Sequence, residues 1–222
     1  MGDKNQLWYL QKYIEEFEGP YLEVGSKDYG STQNIRSLFS SKETYVGIDI
    51  SEGKGVDLAV DFTEDFNQID KRLQGERFGT IFCFSVMEHC DQPFKMADNI
   101  TRLLKTNGKL CVSVPFVWKF HAYPSDYWRF TPEGVKKLFP RLSFDSSKGI
   151  VSTALFKDFY PLDHDLGKIT FGFKSNWERG YYLRGISAKA LQLASKLGLF
   201  KWIAGYRYVM PPTLITMIGV LR

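Results

Sequence analysis

The chain has 222 residues, 44% hydrophobic and 24% charged, with a formal net charge of +4; that length suits one large domain, or one domain with an insertion, and the apolar content is ample for a core. Residues 1–5 are polar and no long apolar run follows, so no secretory signal is expected. No stretch reaches about 18 uninterrupted apolar residues, which argues against a transmembrane helix and for a cytoplasmic protein.

Taken in order, residues 6–17 carry Leu7, Trp8, Leu10, Tyr13, Ile14 and Phe17 at helical spacing, which predicts an amphipathic helix stopped at Gly19-Pro20. The stretch that organises the rest comes next. Tyr21-Leu22-Glu23-Val24 runs into Gly25, Gly30 follows, and Asn34–Phe39 reads as a helix: strand, tight turn, helix, as in the first crossover of a nucleotide-binding α/β sheet. Gly25 and Gly30 match the first and third glycines of a dinucleotide fingerprint. Lys27 replaces the second, which would let the backbone close on a pyrophosphate. Glu23, at the end of the strand, would repel phosphate and attract a cation. These residues favour an adenosine without phosphates that carries an ammonium and a sulfonium, S-adenosylmethionine, over a dinucleotide. A glycine turn in an α/β protein without any cofactor is the other reading of this stretch alone.

Tyr45–Ile50 is a second strand ending at Asp49, where a carboxylate in a doubly wound sheet accepts hydrogen bonds from ribose hydroxyls, or else caps a turn. Residues 56–62 read as a third, edge-like strand, with Asp61 placed to meet an adenine amino group. Residues 65–74 predict a short helix. Phe78–Ser85 is an apolar run expected of a central strand buried on both faces. A helix over 92–105 should end on Thr106-Asn107-Gly108 as a C-cap, and Lys109–Pro115 is a fifth strand. Cys83, Cys90 and Cys111 read as reduced, buried thiols. No Cys/His spacing suggests zinc, so no metal is expected. The alternation of strands and helices predicts a parallel sheet with right-handed crossovers.

Five pieces, LEVGS (22–26), YVGIDI (45–50), GVDLAVDF (55–62), FSVMEHC (84–90) and LLKTNGKLCVSVPF (103–116), together with HAYPSDYWRFTPEG (121–134), resemble the class I, Rossmann-like S-adenosylmethionine-dependent methyltransferases. The nearest branch is the small type 11 domains, some of which serve sugar and secondary-metabolite pathways. The resemblance spans about two-thirds of the chain. It implies an α/β fold with a doubly wound, mostly parallel seven-stranded sheet. It implies that Glu23, Gly25 and Ser26 surround the methionine part of the cofactor, with Asp49 and Ile50 at the ribose and Asp61 and Phe62 at the adenine. Ser85 would close the pocket. Lys27 departs from the glycine common in the family.

Methyl transfer needs position and desolvation, and an oxygen acceptor usually needs a base. His121, following the fifth strand, is one candidate, with Asp126 close enough to orient it; Tyr123, Tyr127, Trp128 and Arg129 would wall the acceptor. The other reading is a structural loop in which Tyr127, Trp128 and Phe130 plug the core and Arg129 pairs with an acid. His89, near the cofactor, is a weaker candidate, and His164 has no assigned role.

The last two strand-like segments, Ser143–Leu155 and Thr213–Leu221, would be the antiparallel pair of the family, with 156–210 a helical insertion in a single domain spanning 1–222. Glu178 is the last acidic residue. Seven basic residues lie beyond it, leaving 22 basic against 25 acidic groups, a net −3, in the first 178 residues. The insertion could serve as a lid, a dimer contact, or a surface for an anionic or membrane-bound partner through 179–207, or simply be a helical cap with solvated lysines. The leading expectation is a methyltransferase acting on a small molecule, with O-methylation of a sugar or natural-product acceptor that the basic residues could draw in through a phosphate or carboxylate. The alternative is a non-catalytic binding or assembly module of the same fold. Nucleic acid is disfavoured as substrate, since no Asn/Asp-Pro-Pro-Tyr/Phe motif occurs.

Overall fold

The computed structural model describes residues 3–30, 33–39, 44–122, 124–153, 159–162, 166–200 and 208–222. The chain divides into two units, residues 1–164 with 212–222, and residues 165–211.

The first unit is a mixed α/β sheet. Its strands are β1 (Tyr21–Val24), β2 (Tyr45–Asp49), β3 (Leu58–Ala59), β4 (Phe78–Phe84), β5 (Leu104–Val117), β6 (Leu142–Phe144), β7 (Ile150–Thr153), β8 (Tyr160–Pro161) and, from the end of the chain, β11 (Thr213–Leu221). The order is β3-β2-β1-β4-β5-β11-β7-β8, with β6 also paired to β11. The first five strands are mutually parallel, and β11 runs antiparallel to β5, β6 and β7. This is the expected doubly wound sheet, extended by two short strands, β6 and β8. The single segment foreseen over 143–155 is broken by a turn in which Asp145 accepts hydrogen bonds from the backbone (2.9 Å) and hydroxyl (2.6 Å) of Ser147.

The helices are α1 (Lys4–Lys12), α2 (Phe66–Arg72), α3 (Pro93–Leu103) and α4 (Pro132–Leu138). Helix α1 starts on a capping box formed by Asp3 and Gln6 and ends earlier than its apolar spacing predicts; a separate 3-10 turn, Ile14–Glu16, delivers Phe17 to the core. The helix expected over 34–39 does not form. A 3-10 turn, Arg36–Leu38, takes its place. The apolar pair of this stretch, Ile35 and Phe39, is instead anchored in the aromatic cluster of Phe17, Tyr21 and Phe82. Thr106-Asn107-Gly108 is not a helix C-cap either: Leu104 is already extended, so α3 passes directly into β5, and Asn107, at φ +62°, makes the bend where the β4–β5 register shifts. Strand β4 is the buried centre, with Phe82 stacked on Tyr21 at 6.1 Å.

The second unit contains β9 (Ile169–Thr170), α5 (Phe173–Glu178), α6 (Tyr182–Lys196) and β10 (Tyr208–Val209); β9 and β10 pair antiparallel. Asn176 ties its start together by donating to the carbonyls of Thr170 and Gly172, each at 2.8 Å. Among the described residues no helix is long and apolar enough to cross a membrane.

Candidate active site

The strand order reverses between β1 and β4, and ligands of open parallel sheets sit beyond the carboxyl ends of the strands at such a point. A cavity of about 570 Å³ opens there. It is built from the ends of successive strands: Val24 and Gly25 after β1, Asp49 and Ile50 after β2, Asp61 and Phe62 after β3, Ser85 and Val86 after β4. His89, Cys90 and Asp91 follow, and His121, Ser125 and Tyr127 add to the lining from the loop after β5.

Gly25 is required by geometry. Its φ is +79°, and a Cβ there would lie 2.2 Å from Cγ2 of Val86. The Gly25 and Ser26 amides both donate to the Ile48 carbonyl, at 2.8 and 2.9 Å, which binds the turn to β2. Asp49 is held by its surroundings: one carboxylate oxygen accepts from the Lys27 amide at 3.4 Å, the other from the Ser51 amide at 3.3 Å. Asp61 accepts from the amide and hydroxyl of Thr63, both at 2.7 Å. Ser85 has the left-handed φ of +52°, rare for a side chain, and its hydroxyl accepts from Gln6 at 3.3 Å.

The side chain of Lys27 runs across the turn at Gly53, where a Cβ would lie 2.8 Å from its Cε, and its ammonium donates to the Ser51 hydroxyl at 2.9 Å. The bare Gly53 thus makes room for the Lys27 side chain. The cavity wall holds three aspartates, Asp49, Asp61 and Asp91, and one lysine, Lys27. Apolar Val60, Phe62 and Met96 stand among them. That wall suits a hydroxyl-bearing adenosine with a cationic sulfonium and does not suit a pyrophosphate.

Of the residues read from sequence, Gly25, Asp49, Ile50, Asp61, Phe62, Ser85, His121 and Tyr127 line the cavity, while Glu23, Ser26, Gly30, Asp126, Trp128 and Arg129 do not. Tyr123 and His164 lie outside the described residues. Glu23 is buried and accepts the Tyr45 hydroxyl at 2.8 Å, and burial raises its pKa. Gly30, at φ +83°, donates its amide to Asp28 at 2.8 Å.

The loop after β5 is laced to the turn after β4. The Glu88 carbonyl accepts the amides of Tyr127 (2.8 Å) and Trp128 (3.3 Å), and the Trp128 indole donates to the Cys90 carbonyl at 2.8 Å. Arg129 grips Asp126 with two bonds, at 2.5 and 2.8 Å, and holds its carboxyl far below the usual range. Asp126, its side chain fully covered, accepts the His121 amide at 2.8 Å and lies 3.1 Å from Nδ1 of His121. Arg129 and Trp128 therefore brace the loop, Phe130 is buried in the core, and His121 and Tyr127 face the cavity.

Sequence reasoning missed Glu88. It is 1% exposed, and burial pushes its carboxyl up to about 8. It lies beside His89 and His121, whose rings are 4.9 Å apart between centroids.

A family profile for a methyltransferase domain matches residues 9–149. No curated protein matches by sequence. Among solved structures, a SAM-dependent methyltransferase from Archaeoglobus fulgidus is 14% identical, with 98% of this chain and 94% of that one covered and a TM-score of 0.53. The N-methyltransferase NodS from Bradyrhizobium japonicum WM9 is 11% identical over 99% of each chain, at 0.50. The cyclase SpnF is 11% identical over 97% and 80%, at 0.51. At these identities the structural likeness is one of fold. The profile covers more than half of the chain and spans every strand end that builds the cavity from β1 to β4, so the chain belongs to the methyltransferase-domain family, as a class I S-adenosylmethionine-dependent methyltransferase.

Proposed function

We propose that this enzyme methylates a hydroxyl of a small molecule, of sugar or natural-product type, as in the type 11-like branch. The observation that carries the reading is His121 in the cavity wall, with Nδ1 turned to a carboxylate that Arg129 keeps ionised. S-adenosylmethionine supplies the electrophilic methyl. Asp49 accepts the ribose hydroxyls beside Ile50, Asp61 and Phe62 receive the adenine, and Gly25 and Ser85 border the methionine part. Glu23, Ser26 and Gly30 belong to the strand and turn that carry Gly25. His121 takes the acceptor proton on Nε2, and Asp126 is its positioning residue. Tyr127, 53% exposed, offers a face for the acceptor, with Trp128 and Arg129 supporting the loop. The test is a panel of hydroxyl and amine acceptors read by S-adenosylhomocysteine release. Turnover confined to amines would sink the oxygen assignment.

Asp49→Ala should weaken S-adenosylhomocysteine binding by about 1–3 kcal/mol, or roughly 5- to 150-fold, because two hydroxyls lose their acceptor. Calorimetry reads this directly, and an unchanged Kd removes Asp49 from the ribose.

We also assign acceptor selection to the inserted segment, within the expected span 156–210. Arg184, Lys189 and Lys196 of α6 carry like charge, and no acidic residue follows Glu178, which suits an acceptor bearing phosphate or carboxylate. Reversing all three to Glu should raise KM for an anionic acceptor several-fold and leave a neutral one alone, with wild-type KM rising with salt. A KM indifferent to both changes dismisses the idea. The three free thiols accord with a cytoplasmic location.

A further inference from the structure

We propose that Glu88, His89 and His121 form a binding site for a divalent transition-metal ion of the zinc class at the acceptor end of the cavity. One ligand atom from each lies within 4.8 Å of the other two, and Nε2 of His89 is 4.0 Å from the Glu88 carboxylate. Ligands 2.0–2.2 Å from a tetrahedral ion stand about 3.4 Å apart, so a modest side-chain contraction closes the site.

The proton positions favour ligation. Nδ1 of His89 is 2.5 Å from the Ser125 carbonyl, which can only accept, so the proton sits on Nδ1 and Nε2 carries the lone pair. Nδ1 of His121 faces two acceptors, the Lys119 carbonyl at 3.2 Å and Asp126 at 3.1 Å, which sets the same tautomer. Metal-ligating histidines commonly hold their second nitrogen this way, against a carbonyl or a carboxylate.

The carboxylate supplies an independent sign. Glu88 is almost wholly buried, and its Oε2 has no hydrogen-bond partner among the described residues. An unpaired carboxylate in such a place is costly, and a cation is one group that compensates it. The backbone of this same residue is pinned by Tyr127 and Trp128, so the turn and the loop that carry the ligands are already locked together. Two imidazoles and one carboxylate suit zinc, iron or cobalt better than magnesium, which prefers oxygen and retains water. His89 and His121 both line the cavity, so remaining coordination positions would open towards the acceptor.

This inference shares His121 with the proton-acceptor reading, and one lone pair cannot serve both at once. The ion-free protein uses Nε2 as a base, and the loaded protein uses it as a ligand. The test is a titration of the whole chain with Co(II), followed by visible absorption, and with Zn(II) by calorimetry. One ion per chain is expected, bound more tightly than about 10 μM. Glu88→Gln, His89→Gln and His121→Gln should each weaken it at least tenfold, and Asp126→Asn about 10- to 100-fold. Cys90→Ser should leave it unchanged, with melting temperatures checking that each variant folds. Absence of binding, binding untouched by the three ligand variants, or binding lost in Cys90→Ser alone overturns the site. Turnover measured alongside separates the two readings: inhibition by a bound ion keeps both the site and the base, and activation keeps the site but removes the base.

Discussion

His121→Gln is expected to lower kcat by about 10²–10⁴-fold, the range for loss of a positioned general base, while leaving the Kd for S-adenosylhomocysteine unchanged. The side chain lines the same cavity as the strand-end carboxylates Asp49 and Asp61 but follows β5 rather than a strand end of the cofactor side, so its loss is expected to spare the cofactor. Glutamine keeps most of the volume and removes the basic nitrogen. Asp126→Asn should fall in the same direction but less far, because it perturbs only the tautomer and orientation of the ring. A kcat for His121→Gln within about threefold of wild type would dismiss the base. Since the same substitution also removes a proposed metal ligand, His89→Gln is the control, measured in chelator-treated protein. It removes the other imidazole of the proposed metal cluster while sparing His121, so with the ion stripped a large loss in His121→Gln alone belongs to proton transfer.

Gly25→Ala should cost both stability and cofactor affinity. At φ +79° a β-carbon adds about 1–2 kcal/mol of backbone strain. It would also stand 2.2 Å from a Val86 methyl, and overpacking of this kind typically costs about 1–3 kcal/mol. Together these predict a drop in melting temperature of roughly 5–15 °C. Because Gly25 and Val86 both face the cavity, the relief movement distorts the cofactor turn itself, and binding should weaken by at least about tenfold. Adding Val86→Ala removes the clash but not the strain. The double variant should therefore recover part of the loss, with a coupling energy above about 0.5 kcal/mol. Purely additive losses would mean that the two side chains do not compete for the same space.

Much of the sheet was legible because its signals are local. The buried run Phe78–Phe84, the strand ending at Asp49 and the glycine turn after Val24 each declare themselves within a few residues, and their order specifies a parallel sheet with its ligand edge at the strand ends. Element ends were less legible. Ile35 and Phe39 have helical spacing, but the aromatic cluster around Phe82 captures them and leaves only a 3-10 turn; Asn107 looks like a cap and makes a bend inside β5. In both cases tertiary packing overrode a weak local preference. The residues brought to the cavity divide by the same logic. Asp49, Asp61 and Ser85 lie at strand ends, where sequence position is nearly spatial position. Which side of the loop after β5 faces inward depended on bonds made at a distance: Glu88 to Tyr127, Cys90 to Trp128 and Arg129 to Asp126. The conjunction of Glu88, His89 and His121 was invisible for the same reason. Glu88-His89 carries no metal-ligand spacing by itself, and its third member joins only when the hydrogen bonds of the fold draw the loop after β5 onto the turn after β4.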